Sequence, residues 1–197
     1  MAEDFTYKIL ILGERNVGKT SLLLRFCRDT FNQNIMQSSG LSFLPKEIII
    51  DNEKVVLALW DTAATEAYRS INKAYYRSAL GVIMVYDQTD IKTFNAIPSW
   101  ITEAQEVIGI DKPIVIFGNK SDLTEKVEVS AEMAEEFSSK NQYMFFKVSA
   151  KTGYNVSLGF IELAKIIHKS KSREMNHRSS IALFQTNIIS HEEKCKC

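Results

Sequence analysis

The chain has 197 residues, sets 24 Lys and Arg against 24 Asp and Glu, and is 45% apolar, the makeup of one soluble domain with a sizeable core. No apolar run approaches the ~20 residues of a membrane-spanning helix, and the opening MAEDFTYKIL lacks a secretory layout, so a cytosolic setting is expected. Cys27, Cys195 and Cys197 make no disulfide framework, the lack of histidine before His168 excludes a Ser-His-Asp triad or a histidine-bound metal over most of the chain, and the even charge excludes a nucleic-acid footprint.

Along the chain, short apolar runs alternate with segments of helical period. YKILILG (7–13) reads as a buried strand, followed by an apolar-striped helix over 18–28. PKEIIID (45–51) and KVVLALWD (54–61) read as a hairpin turning at Asp51-Asn52. LGVIMVYD (80–87), PIVIFGNK (113–120) and YMFFKVSA (143–150) are further runs of buried-strand type, with helical periods near 68–77, 93–108, 131–140 and 155–168. This alternation predicts an α/β fold, a mostly parallel sheet covered by helices on both faces, with ligands at the carboxyl ends of the strands. From about residue 171 the chain is polar and reads as a flexible tail, mildly basic with six Lys or Arg against three Glu over 169–197.

GERNVGKT (Gly13–Thr20) follows the first strand and opens the first helix, and it fits G-x-x-x-x-G-K-[ST]. Such a loop turns backbone N–H groups toward phosphate oxygens, helped by the positive end of the helix. Lys19 is expected to reach the β- and γ-phosphates and the Thr20 hydroxyl to ligate Mg²⁺, with Asn16, Val17, Gly18 and Ser21 completing the phosphate-side set.

GNKSD (118–122) ends a strand and supplies the base. Asp122 can accept from the two N–H groups on guanine's pairing edge, a pattern adenine does not offer. Asn119 would hold the ring's imidazole side and brace the loops. The Lys120 stem would lie along one purine face, with Phe31 a candidate for the other. SAK (Ser149, Ala150, Lys151) ends the next strand.

In the order GERNVGKT, WDTAATE, GNKSD, VSAK, these residues resemble a small GTPase of the Ras superfamily, most closely a Rab, over roughly residues 5–170. AYYRSALGVIMVYDQTD (74–90) and the terminal CKC are similar to Rab sequences. The resemblance implies the three-layer P-loop NTPase fold: a six-stranded, mostly parallel sheet with one antiparallel hairpin strand and about five helices. It implies a domain over 1–170 and a tail over 171–197 whose Cys195 and Cys197 carry prenyl lipid. It further implies a monomeric GTP/GDP switch with Mg²⁺, working in vesicle traffic on the cytoplasmic face of endomembranes and cycling with the cytosol. Exchange factors, GTPase activators, effectors and prenylation and membrane-extraction chaperones are the implied partners, and nucleic acid is not. Thr20, Ser38 and Asp61 fall at the family's magnesium positions, Phe43, Trp60 and Tyr75 at its effector aromatics, and the Ala150 N–H at its contact to the guanine oxygen.

Three residues depart from the family pattern. Thr65 replaces the glutamine that orients the attacking water, and its shorter side chain lacks the paired donor and acceptor, so hydrolysis is expected to be slow. Ala64 replaces a glycine whose N–H meets the γ-phosphate, and a Cβ there would disfavour the GTP state if φ must be positive. Arg15 occupies the loop position facing the γ-phosphate, either as a built-in cation or as a solvent-pointing side chain that crowds an activator's arginine. Drift in a lineage indifferent to hydrolysis accounts for the same three residues. A GTP-binding scaffold without useful catalysis is the second reading; a different phosphate-loop enzyme is the third, and Asp122 argues against it. Trp100 reads as packing rather than recognition, Cys27 as packing, and IALFQTNII (181–189) as a docking segment or a transient apolar patch.

Overall fold

The structure is a computed structural model that describes residues 5–32, 42–61 and 76–173. Six strands form one sheet: β1 (Phe5–Leu12), β2 (Ser42–Ile50), β3 (Glu53–Asp61), β4 (Gly81–Asp87), β5 (Ile114–Asn119) and β6 (Met144–Lys147), in the order β2-β3-β1-β4-β5-β6. Only β2 runs antiparallel, against β3; the other pairs are parallel. The described helices are α1 (Lys19–Arg28), α2 (Ile91–Asn95), α3 (Ile97–Ile108), α4 (Ala131–Lys140) and α5, helical over 156–173. The expected fold class is the observed one. None of the described helices is long and apolar enough to cross a membrane.

The near-continuous apolar runs are explained by burial on both faces of the sheet. Along β1, Tyr7, Ile9 and Ile11 join the core under α1 and α5, while Leu10 and Leu12 join the core under α3 and α4. The same alternation splits Ile83 and Val85 from Val82 and Met84 on β4, and Val115 and Phe117 from Ile114 and Ile116 on β5. Phe26 of α1 stacks on Phe160 of α5 at 4.3 Å, closing one layer. At the far end of the sheet, the Tyr7 hydroxyl bonds His168 Nδ1 at 2.7 Å and His168 Nε2 lies 3.6 Å from Glu53, which ties α5 to β1 and β3.

The β2–β3 turn falls at the expected place, with Asp51 (φ 49°) and Asn52 (φ 64°) both left-handed, as a tight two-residue hairpin requires. Other boundaries moved. β2 begins at Ser42, ahead of the expected Pro45, because an edge strand tolerates a proline whose missing N–H would face outward. The helix expected over 93–108 is two helices, since Pro98 lacks the N–H that would bond the Phe94 carbonyl and carry α2 into α3. β6 stops at Lys147, before the S-A-K residues, and α5 is helical over 156–173, past the 168 expected for that helix. Of the helix expected over 68–77, all but Tyr76 and Arg77 lies outside the described residues.

Candidate functional site

The carboxyl ends of β1, β3, β4, β5 and β6 lie along one edge of the sheet, and each delivers a residue to it. Gly13 leaves β1 at φ 138°, where an added Cβ would sit 2.1 Å from the Val85 carbonyl oxygen of β4. The loop therefore crosses the end of β4 at a distance that only glycine permits. It ends at Gly18 (φ 95°), where a Cβ would meet Asn119 Nδ2 at 2.4 Å. The two glycines of the phosphate loop are thus fixed by contacts with neighbouring strands, one of them the base-loop asparagine.

Lys19 opens α1 and is buried. Its ammonium donates to the carbonyls of Gly13 (2.9 Å) and Glu14 (2.7 Å), two of its three N–H donors, and so spans the loop. Burial pushes its pKa down to about 8, against the opposing pull of Asp61 and Glu14. The Thr20 hydroxyl donates to Asp61 Oδ2 at 2.5 Å, and Asp61 is fully buried at the end of β3. A hydroxyl and a buried carboxylate beside the phosphate loop form the hard-oxygen set that suits Mg²⁺. Bound there, the ion would neutralise phosphate charge. Arg15 and Asn16 are exposed on the rim of the loop, Val17 is buried beneath it, and Ser21 is partly buried on α1.

Asn119 joins the two halves of the site. Its Nδ2 donates to the Val17 carbonyl at 2.7 Å, and its Oδ1 accepts the Ala150 N–H at 3.1 Å. The bracing role expected of it is therefore observed. Ala150, expected to offer its N–H to a base oxygen, has that N–H engaged by Asn119, so a base oxygen would have to share it. Asp122 accepts from the Ser149 hydroxyl at 2.6 Å, and Lys151 lies 3.8 Å from its other oxygen. Lys120 (φ 65°) pairs with Asp87 at 2.5 Å, which holds its amine at the end of β4. Beside this loop opens a shallow cleft of about 330 Å³ lined by Ser121, Asp122, Lys147, Thr152 and Tyr154. Phe31 is exposed at the end of the segment after α1.

Two expected effector aromatics are neighbours. Phe43 and Trp60 are register partners across β2 and β3, with rings 5.2 Å apart, and the Lys8 amine lies 4.7 Å from the Trp60 ring. The third, Tyr75, lies outside the described residues, as do Ser38, Ala64, Thr65, Cys195 and Cys197.

Four residues at the site were not singled out as functional from the sequence. Asp87 anchors Lys120 and accepts from Thr89 N (2.9 Å) and Oγ1 (2.7 Å); an acidic residue ending a buried strand was the available signal. Trp100, read as packing, is indeed buried in the core, but its indole N–H also donates to Glu14 Oε1 at 3.0 Å. Glu14, in turn, gives its carbonyl to Lys19. Arg25 reaches from α1 to the carbonyls of Ala150 and Lys151. For these three no local sequence signal exists, because the partners are far apart in the chain.

Comparison with known proteins accords with this geometry. The family described as Ras family matches residues 8–169. Rab-8 of Diplobatis ommata is 39% identical over 176 residues, covering 89% of this chain and 84% of that protein. Human Rab-8B is 39% identical over 177 residues (90% and 86%), and rat Rab-13 is 34% identical over 197 residues (100% and 97%). With the phosphate loop, the Thr20–Asp61 pair and the asparagine-braced base loop all converging on one sheet edge, the chain belongs to the Ras family and, within it, to the Rab small GTPases.

Proposed function

We propose that this chain is a Rab-like guanine-nucleotide switch of membrane traffic whose intrinsic hydrolysis is slow. The observation that carries the nucleotide part is the shared framework of the two loops. Val17, Asn119 and Ala150 are linked by consecutive hydrogen bonds, so that phosphate donors and the Asp122 carboxylate belong to one rigid edge. Lys19, Gly13, Asn16, Val17, Gly18, Thr20 and Ser21 take the phosphates; Thr20, Asp61 and Ser38 take Mg²⁺; Asn119, Lys120, Asp122, Ser149, Ala150, Lys151 and Phe31 take guanine.

The slow-hydrolysis part rests on Thr65 and Ala64. A threonine cannot supply the amide's paired donor and acceptor, and losing one such positioning group costs about one to three orders of magnitude in rate, roughly 1.4–4 kcal/mol. Single-turnover phosphate release tests it. Thr65→Gln should raise the rate by about ten- to a thousandfold, and an unchanged rate would remove glutamine loss as the cause.

The same two residues favour a second reading, a GTP-bound scaffold that recruits effectors without useful turnover. Phosphate release followed over hours separates the two: measurable turnover supports the switch, none the scaffold. In either case Cys195 and Cys197 are proposed lipid acceptors. Two chains give stable membrane attachment where one is marginal, and intact-mass measurement of protein from cells would reveal them. Exchange factors, activators, effectors and lipid-handling chaperones are the partners such a switch requires.

A further inference from the structure

We propose that Arg25 is a positioning residue for guanine recognition, acting through the S-A-K loop. It stands on α1, the helix that begins at the phosphate loop, with its side chain only 17% exposed. Nε donates to the Ala150 carbonyl at 2.9 Å and Nη2 to the Lys151 carbonyl at 2.8 Å. Nη1 donates to Asp29 Oδ1 at 2.8 Å and to the Asp29 carbonyl at 3.1 Å. One planar group therefore grips two consecutive peptide carbonyls while Asp29, the left-handed residue that ends α1, fixes its orientation. Ala150 is held from two sides, its N–H by Asn119 and its carbonyl by Arg25. Ser149, the preceding residue, carries the hydroxyl that positions Asp122. Downstream, Gly153 (φ 85°) turns the chain back, and the point where its Cβ would stand is 3.6 Å from Arg25 Cδ, so the arginine stem packs against the turn.

Through these contacts α1 joins the phosphate end of the site to its base end. Arg25 does not itself need to touch the nucleotide. Lysine cannot replace it: a single ammonium lacks the flat fork that spans adjacent carbonyls with a third edge on Asp29. The proposal rests on the reading that the S-A-K loop meets the 6-oxygen of guanine.

The test measures release of fluorescently labelled GDP, and of its analogue with sulfur at position 6, from the full chain with Mg²⁺. The analogue keeps the N–H groups offered to Asp122 and weakens only the acceptor at position 6. Arg25→Lys and Arg25→Ala should release GDP about ten- to a hundredfold faster, as expected for losing two charge-assisted hydrogen bonds, and should lose most of the preference for GDP over the analogue. Asp29→Ala, which keeps both carbonyl contacts, should have a smaller effect in the same direction. Thermal unfolding in saturating GDP checks the fold, and Arg25→Lys serves if Arg25→Ala does not fold. Equal acceleration for both nucleotides, leaving the preference intact, would make Arg25 a structural residue of α1 and overturn the proposal; so would no acceleration. If the unaltered protein already holds both nucleotides equally, the assignment of the loop to the 6-oxygen falls, and this inference with it, by a separately visible result.

Discussion

Asn119 Nδ2 donates to the Val17 carbonyl oxygen across a separation of 102 residues, at 2.7 Å and out of contact with solvent. The residue that the motif assigns to the base is thus part of the wall of the phosphate loop. Replacing it with alanine leaves the Val17 carbonyl and the Ala150 N–H without their partner. Asn119→Ala should cost about 2–4 kcal/mol in urea unfolding, from two unsatisfied buried groups, and should weaken GDP binding by at least about a hundredfold. Undiminished GDP affinity would mean that the two loops are organised independently.

Gly18 and Gly153 both have positive φ, 95° and 85°, yet only one is crowded. Gly153→Ala meets ordinary contact at 3.6 Å and should cost the backbone strain alone, about 1–2 kcal/mol. Gly18→Ala drives a methyl to 2.4 Å from Asn119 Nδ2 and should lose more stability and most nucleotide binding. Denaturant midpoints and GDP titration on the two variants check the order; equal losses would contradict it.

The Trp100 indole reaches the Glu14 carboxylate, whose own carbonyl receives Lys19. Trp100→Phe keeps much of the packing and removes the N–H. GDP release should quicken by about three- to thirtyfold, the worth of one charge-assisted bond acting through Glu14. Glu14→Gln, which keeps an acceptor, should release GDP more slowly than Glu14→Ala. No difference between those two would show the bond to be immaterial.

Burial, and secondarily the Glu53 charge, pushes the Tyr7 phenol up to about 12. Its folded pKa then exceeds the value near 10 of an unfolded chain, so its contribution to stability is complete below about pH 10 and is lost as pH rises toward 12. Burial raises the Tyr86 phenol as well, so ultraviolet titration should find more than one phenol ionising well above pH 10, and Tyr7→Phe should remove one of them and flatten the fall in stability above pH 10. A tyrosine that ionises near 10 at this position would refute the assignment.

Much of the architecture was legible because burial on both faces writes itself as apolar runs, and because a phosphate loop needs its glycines and lysine at fixed spacing. Asn119 could be given its bracing role from the motif alone. Pro45 and Pro98 misled in opposite ways. At Pro45 the edge position of β2 made a proline harmless, and edge position is set by the whole sheet. At Pro98 the helical period continued across a missing hydrogen bond. Arg25, Glu14 and Trp100 were illegible as site residues because each acts on a partner brought near only by folding; Arg25 and Ala150 stand 125 residues apart. Asp87 lay at a strand end like the other site residues, but its value depends on Lys120 turning back toward it.

Competition for one labelled nucleotide tests the central claim most directly. With labelled GDP bound to the full chain in Mg²⁺, unlabelled GDP should displace it at a concentration lower than ADP by at least about a thousandfold. On the proposed reading the Asp122 carboxylate pairs with N–H groups that adenine lacks, and a site built on such bonds rejects the wrong partner strongly. Displacement by ADP at the concentration that suffices for GDP would contradict the account.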